Sequence, residues 1–113
     1  MAFTTTNATT LEAAVKLRSR IISEFRDIKP LIQVDTKKSL QDVTKKLRFI
    51  VSLIEVFMND EKASLYQSDK IALDILQAQV VNFITVFEEK SEIERLKIAV
   101  SLERTAKNIL ETD

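Results

Sequence analysis

The chain contains no glycine, no cysteine, no histidine and no tryptophan, and only one proline and one tyrosine. These gaps remove most chemistries before any motif is weighed. Glycine supplies the positive-φ and close-approach positions of phosphate-binding loops, dinucleotide fingerprints and primed hairpin turns, so those devices are excluded. Without cysteine or histidine there is no thiol nucleophile, disulfide, His-based triad, imidazole acid–base pair or ordinary zinc site. The missing cysteine also fits a reducing compartment, and a cytoplasmic location is expected. Long apolar runs are lacking too. The most apolar stretch, Leu47 to Met58, is interrupted by Arg48 and Glu55, well short of the roughly 18 residues that span a bilayer. The opening residues Met1 to Thr10 have neither a basic n-region nor an apolar h-region, so no secretory signal is expected. Residues 1–9 are predicted to be a disordered polar leader, and the Asn7-Ala8-Thr9 sequon within it a chance match.

What remains is a chain of 113 residues, 45% apolar and 30% charged, which suits one domain over 10–111 with one hydrophobic core. Leu47 to Met58 is the stretch the rest is organised around. Its polar residues fall at Gln41, Lys45, Arg48, Ser52, Glu55 and Asn59, spacings of three and four that draw one polar line along an otherwise apolar helix. Such a helix needs neighbours on at least two sides.

Along the chain, Thr9-Thr10-Leu11-Glu12 has the form of a capping box and starts a first helix. Its stripe is Leu11, Ala14, Leu17, Ile21, Phe25 and Ile28. Pro30 predicts that this helix ends near Ile28 or kinks through Leu31 and Ile32. A second helix begins at Asp35, Thr36 or Ser39, carries the seam Leu40, Val43, Leu47, Ile50, Ile54 and Phe57, and stops near Asn59-Asp60; Leu65-Tyr66 then covers the bundle end. Ser68 caps a third helix to about Glu89 with the seam Leu73, Leu76, Val80, Phe83 and Phe87. Its wet side is Lys70, Asp74, Gln77, Thr85 and Glu88. Ser91-Glu92-Ile93-Glu94 is a second capping box and opens a fourth helix to about Leu110, with the stripe Leu96, Ala99, Leu102, Ala106 and Ile109. Four helices with short connections predict an all-α, antiparallel up-down four-helix bundle with the first helix ended or kinked at Pro30.

Two features point towards function. Residues 1–58 carry ten Lys or Arg against six Asp or Glu, and residues 59–113 seven against eleven. Either the halves neutralise each other, or Lys37, Lys38, Lys45, Lys46 and Arg48 form a basic surface for an acidic partner. Nucleic acid is not expected, since overall charge is balanced and an aromatic stacking platform is not evident. The second feature is apolar surplus. A closed bundle asks each helix for about three apolar positions in seven, and the second and third helices exceed that through Phe49, Leu53 and Val56, and through Ile71, Ile75 and Val86. Left open to water these would exceed the apolar patch a soluble monomer usually shows, so they are predicted to hold a protein partner or a second copy, giving a homodimer.

Carboxylates give little chemistry. Glu88, Glu89, Glu92 and Glu94 cluster at the turn between the third and fourth helices, whereas metal-binding bundles project carboxylates inward from mid-helix beside Glu-x-x-His. Glu103 stands alone. Gln79 and Asn82 fall in the apolar arc of the third helix and are the candidates for a specific polar contact. No catalytic, cofactor or metal residues are assigned and no small-molecule substrate is implied. The expected function is a non-catalytic interaction or adaptor bundle, self-associating through its second and third helices. A lipid- or membrane-surface-binding bundle is the first alternative, an enzyme or a carboxylate-metal bundle the second.

Overall fold

In a computed structural model the backbone of residues 2–61 and 67–110 and the side chains of residues 15–59 and 69–110 are described. Four helices follow one another: α1 (Ala2–Val34), α2 (Lys37–Glu61), α3 (Gln67–Val86) and α4 (Glu92–Leu110), with one 3-10 turn, Phe87–Glu89, closing α3. Each packs on its neighbour in sequence and α1 also packs on α4. That closes a ring of four antiparallel helices, the up-down bundle expected of short connections. The predicted seams are the core: Ile21, Phe25 and Ile28 of α1, Val43, Leu47, Ile50, Ile54 and Phe57 of α2, and all five seam residues of α3 are no more than 2% exposed. Ala99, Leu102 and Ala106 bring α4 into the same cluster, while Leu17, Leu40, Leu96 and Ile109 are half-buried at its margin.

Pro30 does not end α1, which runs through it to Val34. The reason is a balance of magnitudes. A proline inside a helix costs about 3 kcal/mol, but a helix ending at Ile28 would strand Ile32, which is fully buried, and Leu31, which is half-buried. Burying each such side chain contributes up to about 1.5–3 kcal/mol, enough to offset the proline. Pro30 itself lies on the exposed side of α1, where water can reach the carbonyl that the ring leaves unbonded.

The helix instead ends one turn later by a device that replaces glycine. Asp35 adopts φ 55° and its N–H donates to the Leu31 carbonyl at 3.4 Å, the left-handed cap that glycine usually makes and that Asp tolerates. Thr36 then caps α2. Its Oγ1 accepts from the Ser39 N–H at 3.1 Å, while the Thr36 N–H donates to Ser39 Oγ at 2.9 Å. Ser39 is therefore the reciprocal partner in Thr36's capping box. At α4 the expected box is present, with Ser91 N–H donating to Glu94 Oε1 at 3.0 Å and Glu94 N–H to Ser91 Oγ at 3.2 Å. Those bonds favour the charged carboxylate and hold the Glu94 pKa below its ordinary value.

The α1 backbone is helical from Ala2, upstream of the Thr9-to-Glu12 box and through the predicted leader. No proline or glycine intervenes to stop a formed helix from propagating. Side chains of residues 1–14 lie outside the described residues, and so does the Leu65-Tyr66 pair expected to cover the bundle end.

Candidate functional site

Two charged side chains that periodicity alone passed over, Glu24 and Arg95, are buried, and a third, Arg18, is half-buried. Arg95, 8% exposed, donates from Nε to the Phe87 carbonyl at 2.8 Å and lays its guanidinium over the Phe87 ring at 4.4 Å. Its Nη1 stands 3.8 Å from Asp35. One side chain of α4 thus ties the end of α3 to the left-handed turn between α1 and α2. Glu24 is 7% exposed and takes Lys46 at 3.0 Å and Arg20 at 3.5 Å. Arg18 lies over the Phe57 ring at 5.4 Å, its Nε buried with no hydrogen-bond partner among the described residues. Two of these were legible: Arg18 precedes Ile21, Phe25 and Ile28 at spacings of three and four, and Arg95 precedes Ala99, Leu102 and Ala106 likewise, so both occupy seam positions.

The basic surface is reduced by this network. Lys37, Lys38, Lys45 and Arg48 are exposed on α2, but Lys46 is turned towards α1 and held by Glu24. Among the described residues no ion pair of the expected sense, a cation of the first half with an anion of the second, joins the two halves. Among the described residues the pair that joins them, Arg95 with Asp35, sets a cation of the acidic half against an anion of the basic half.

The apolar flanks are exposed, though not together. Phe49 is 40%, Val56 47%, Ile71 50% and Ile75 53% exposed; Leu53 and Val86 are half-buried. Arg20 of α1 lies over the Phe49 ring at 5.2 Å, which puts the Phe49, Leu53, Val56 stripe in the groove between α1 and α2. On the far side of α2, the Val51 carbonyl accepts from Gln77 Nε2 of α3 at 3.1 Å. Phe49 and Val51 are about 160° apart round the helix, and so are Ile75 and Gln77 in the opposite sense from the interface. Ile75 therefore faces away from α2, towards α4, on the line of Val86, which borders a groove of 440 Å³ between α3 and α4 with Phe83, Ile98 and Leu102. The two stripes lie on opposite faces of the ring and do not form one joint patch. A three- or four-residue period places a side chain on a helix; only the packing says which neighbour it meets.

Gln77, assigned to the wet side of α3, makes the interhelical bond. Gln79 and Asn82 instead are exposed and border the α3–α4 groove. Glu88, Glu89, Glu92 and Glu94 are all exposed, and among the described residues no three acidic side chains converge as a metal site would require. Val81 adds a further 47%-exposed side chain to the outer side of α3.

The stretch Asp69–Glu89 is long and apolar enough to cross a membrane by length and composition, with mean hydropathy 1.4. Counting consecutive apolar residues misses it, because Asp74, Gln77, Gln79, Asn82 and Thr85 interrupt the run without lowering its average far. One face of this stretch is the buried seam of the bundle, which core helices share with membrane spans. No protein-family model, curated protein or solved structure matches the chain.

Proposed function

We propose that this protein is a non-catalytic helical bundle that binds protein through its exposed apolar faces, with α3 the principal one, and that it works in the cytoplasm as an adaptor or structural element. The observation that supports this is the outer side of α3. From Ile75 to Phe87 the sequence holds no charged residue, yet Ile75 and Val81 within it are 53% and 47% exposed. Folding does not require that arrangement, since exposed positions tolerate charge at almost no cost in stability, whereas apolar side chains gathered on one side, as Ile71 and Ile75 are one turn apart at 50% and 53% exposed, mark a binding surface. Capture of binding proteins by wild type and by Ile75→Glu, followed by mass spectrometry, tests it. A stoichiometric protein lost with Ile75→Glu is expected; identical recovery by the two would overturn the α3 assignment.

A lipid-surface role is the second reading, supported by the length and hydropathy of Asp69–Glu89. It requires α3 to leave the bundle or to lie with its outer face in the headgroup region. Co-sedimentation with vesicles of anionic and neutral lipid separates the two readings: the protein-binding module stays in the supernatant.

A further inference from the structure

We infer that the groove between α3 and α4 binds a single-chain anionic amphiphile, a medium-length alkyl carboxylate whose head lies at Lys90 and Lys97 and whose chain lies along Val86 and Ile98. This goes beyond the protein-binding reading and does not depend on it.

Charge places the head. Lys90 and Lys97 both border the groove, and both stand near the first turn of α4, because Glu94 there, whose pKa is lowered mainly by its Ser91 hydrogen bonds, is lowered further by these two ammonium groups. Neither forms an ion pair. Among the described residues the pairs engage Arg20, Arg26, Lys46, Arg95 and Lys107, and Glu94 instead accepts from the Ser91 N–H at 3.0 Å. Gln79, Asn82 and Ser101 edge the groove farther from the turn. Neutral donors of that kind hold a carboxylate more weakly than an ammonium group does, so the head is drawn towards the turn.

Size and polarity select the rest of the ligand. Between the lysines and the amides lie Phe83 and Leu102, which are buried, and Val86 and Ile98, which are half-buried and keep apolar surface that the core does not cover. An apolar wall with polar groups that fix the orientation of a ligand is the usual form of a small-molecule site, and 440 Å³ lies within the roughly 300–1,000 Å³ of such sites. From Gln79 to Val86 the helix rises about 10 Å, which suits one medium alkyl chain. A partner helix, about 10–12 Å across with its side chains, is too bulky for that volume and would rest on the rim.

The experiment is calorimetric titration of decanoate, kept below its micelle concentration, and of decyltrimethylammonium, which has the same chain and the opposite charge, into wild type, Lys97→Glu and Lys45→Glu. Circular dichroism shows that each variant folds, as these exposed positions should allow. The expected result is one decanoate bound per wild-type chain, no binding of decyltrimethylammonium, an affinity for decanoate at least about tenfold lower in Lys97→Glu, and no change in Lys45→Glu on α2. The comparison of the two amphiphiles on wild type stands without any variant. No heat from decanoate, equal binding of the two amphiphiles, or equal weakening by Lys97→Glu and Lys45→Glu would each overturn the inference. Wild type that co-sediments with anionic vesicles but ignores decanoate would overturn it too, in favour of a lipid surface.

Discussion

The α2 and α3 helices bury their seams equally and each exposes an apolar flank, but they differ on the side opposite the seam. α2 presents five side chains to the core that are no more than 2% exposed, and α3 four, with Phe87 of its closing turn as a fifth. Opposite its seam α2 turns Lys45, Arg48, Ser52 and Glu55 to water, the usual arrangement of an amphipathic helix. Opposite its seam α3 turns Ile71, Ala78 and Val81 as well as Asp74 and Thr85. The difference separates two demands on one chain. The core asks only for the seam, and both helices meet that; the outer side is free to be polar, so where it stays apolar the cause is sought outside the monomer.

The largest effect should fall on the shared part. Ile50→Asp on α2 and Leu76→Asp on α3 each bury a carboxylate without a partner, and a loss of about 4 kcal/mol or more is expected from both in urea denaturation. If one unfolds the protein while the other lowers the midpoint only slightly, the two seams are not equivalent and the bundle is not centred as described. Next comes the end where all four helices meet. Arg95→Leu leaves the Phe87 carbonyl and Asp35 without their cation, and a loss of about 2 kcal/mol is expected from thermal unfolding. Rescue by Arg95→Lys should be incomplete, because an ammonium cannot both bond the carbonyl and lie flat on the Phe87 ring.

A smaller effect is expected at the start of α4. Ser91→Ala removes the cap and should cost about 1 kcal/mol. The reciprocal partner, Glu94, has its pKa lowered by those hydrogen bonds, so its contribution is complete above the ordinary carboxylate pKa and is lost as pH falls through the lowered value. Protection of the Ser91 amide, which donates to that carboxylate, should therefore fall on acidification in wild type, with exchange taken relative to the intrinsic rate at each pH, and stay constant in Glu94→Gln; unchanged protection in wild type would mean the box is not formed in solution. The smallest effects on folding test the outer sides. Lys45→Asp and Ile75→Glu should each leave stability within about 0.5 kcal/mol of wild type, and only the second should abolish association. A destabilised Ile75→Glu would return that side chain to the core and erase the contrast between the helices.

The seams, the capping box at Ser91 and the antiparallel order were all readable in the sequence, because helical periodicity and cap chemistry are local: spacings of three and four fix a face, and Ser-x-x-Glu satisfies amides within one turn. The same logic would have found Arg18 and Arg95, whose spacing sets them on the seams, had charge not been read as a sign of exposure. Packing decided the rest. Pro30 is tolerated because Ile32 finds a buried place beyond it, a gain that exists only once α1 meets its neighbours. Asp35 stands where glycine would, and Arg95 meets it there from α4, a contact sixty residues distant in the chain. Lys46 leaves the basic surface because Glu24 waits on α1. The two apolar stripes, alike in one dimension, were sent to opposite faces by the ring order of the helices, since a periodic pattern records an angle about one axis and carries no information about which helix stands there.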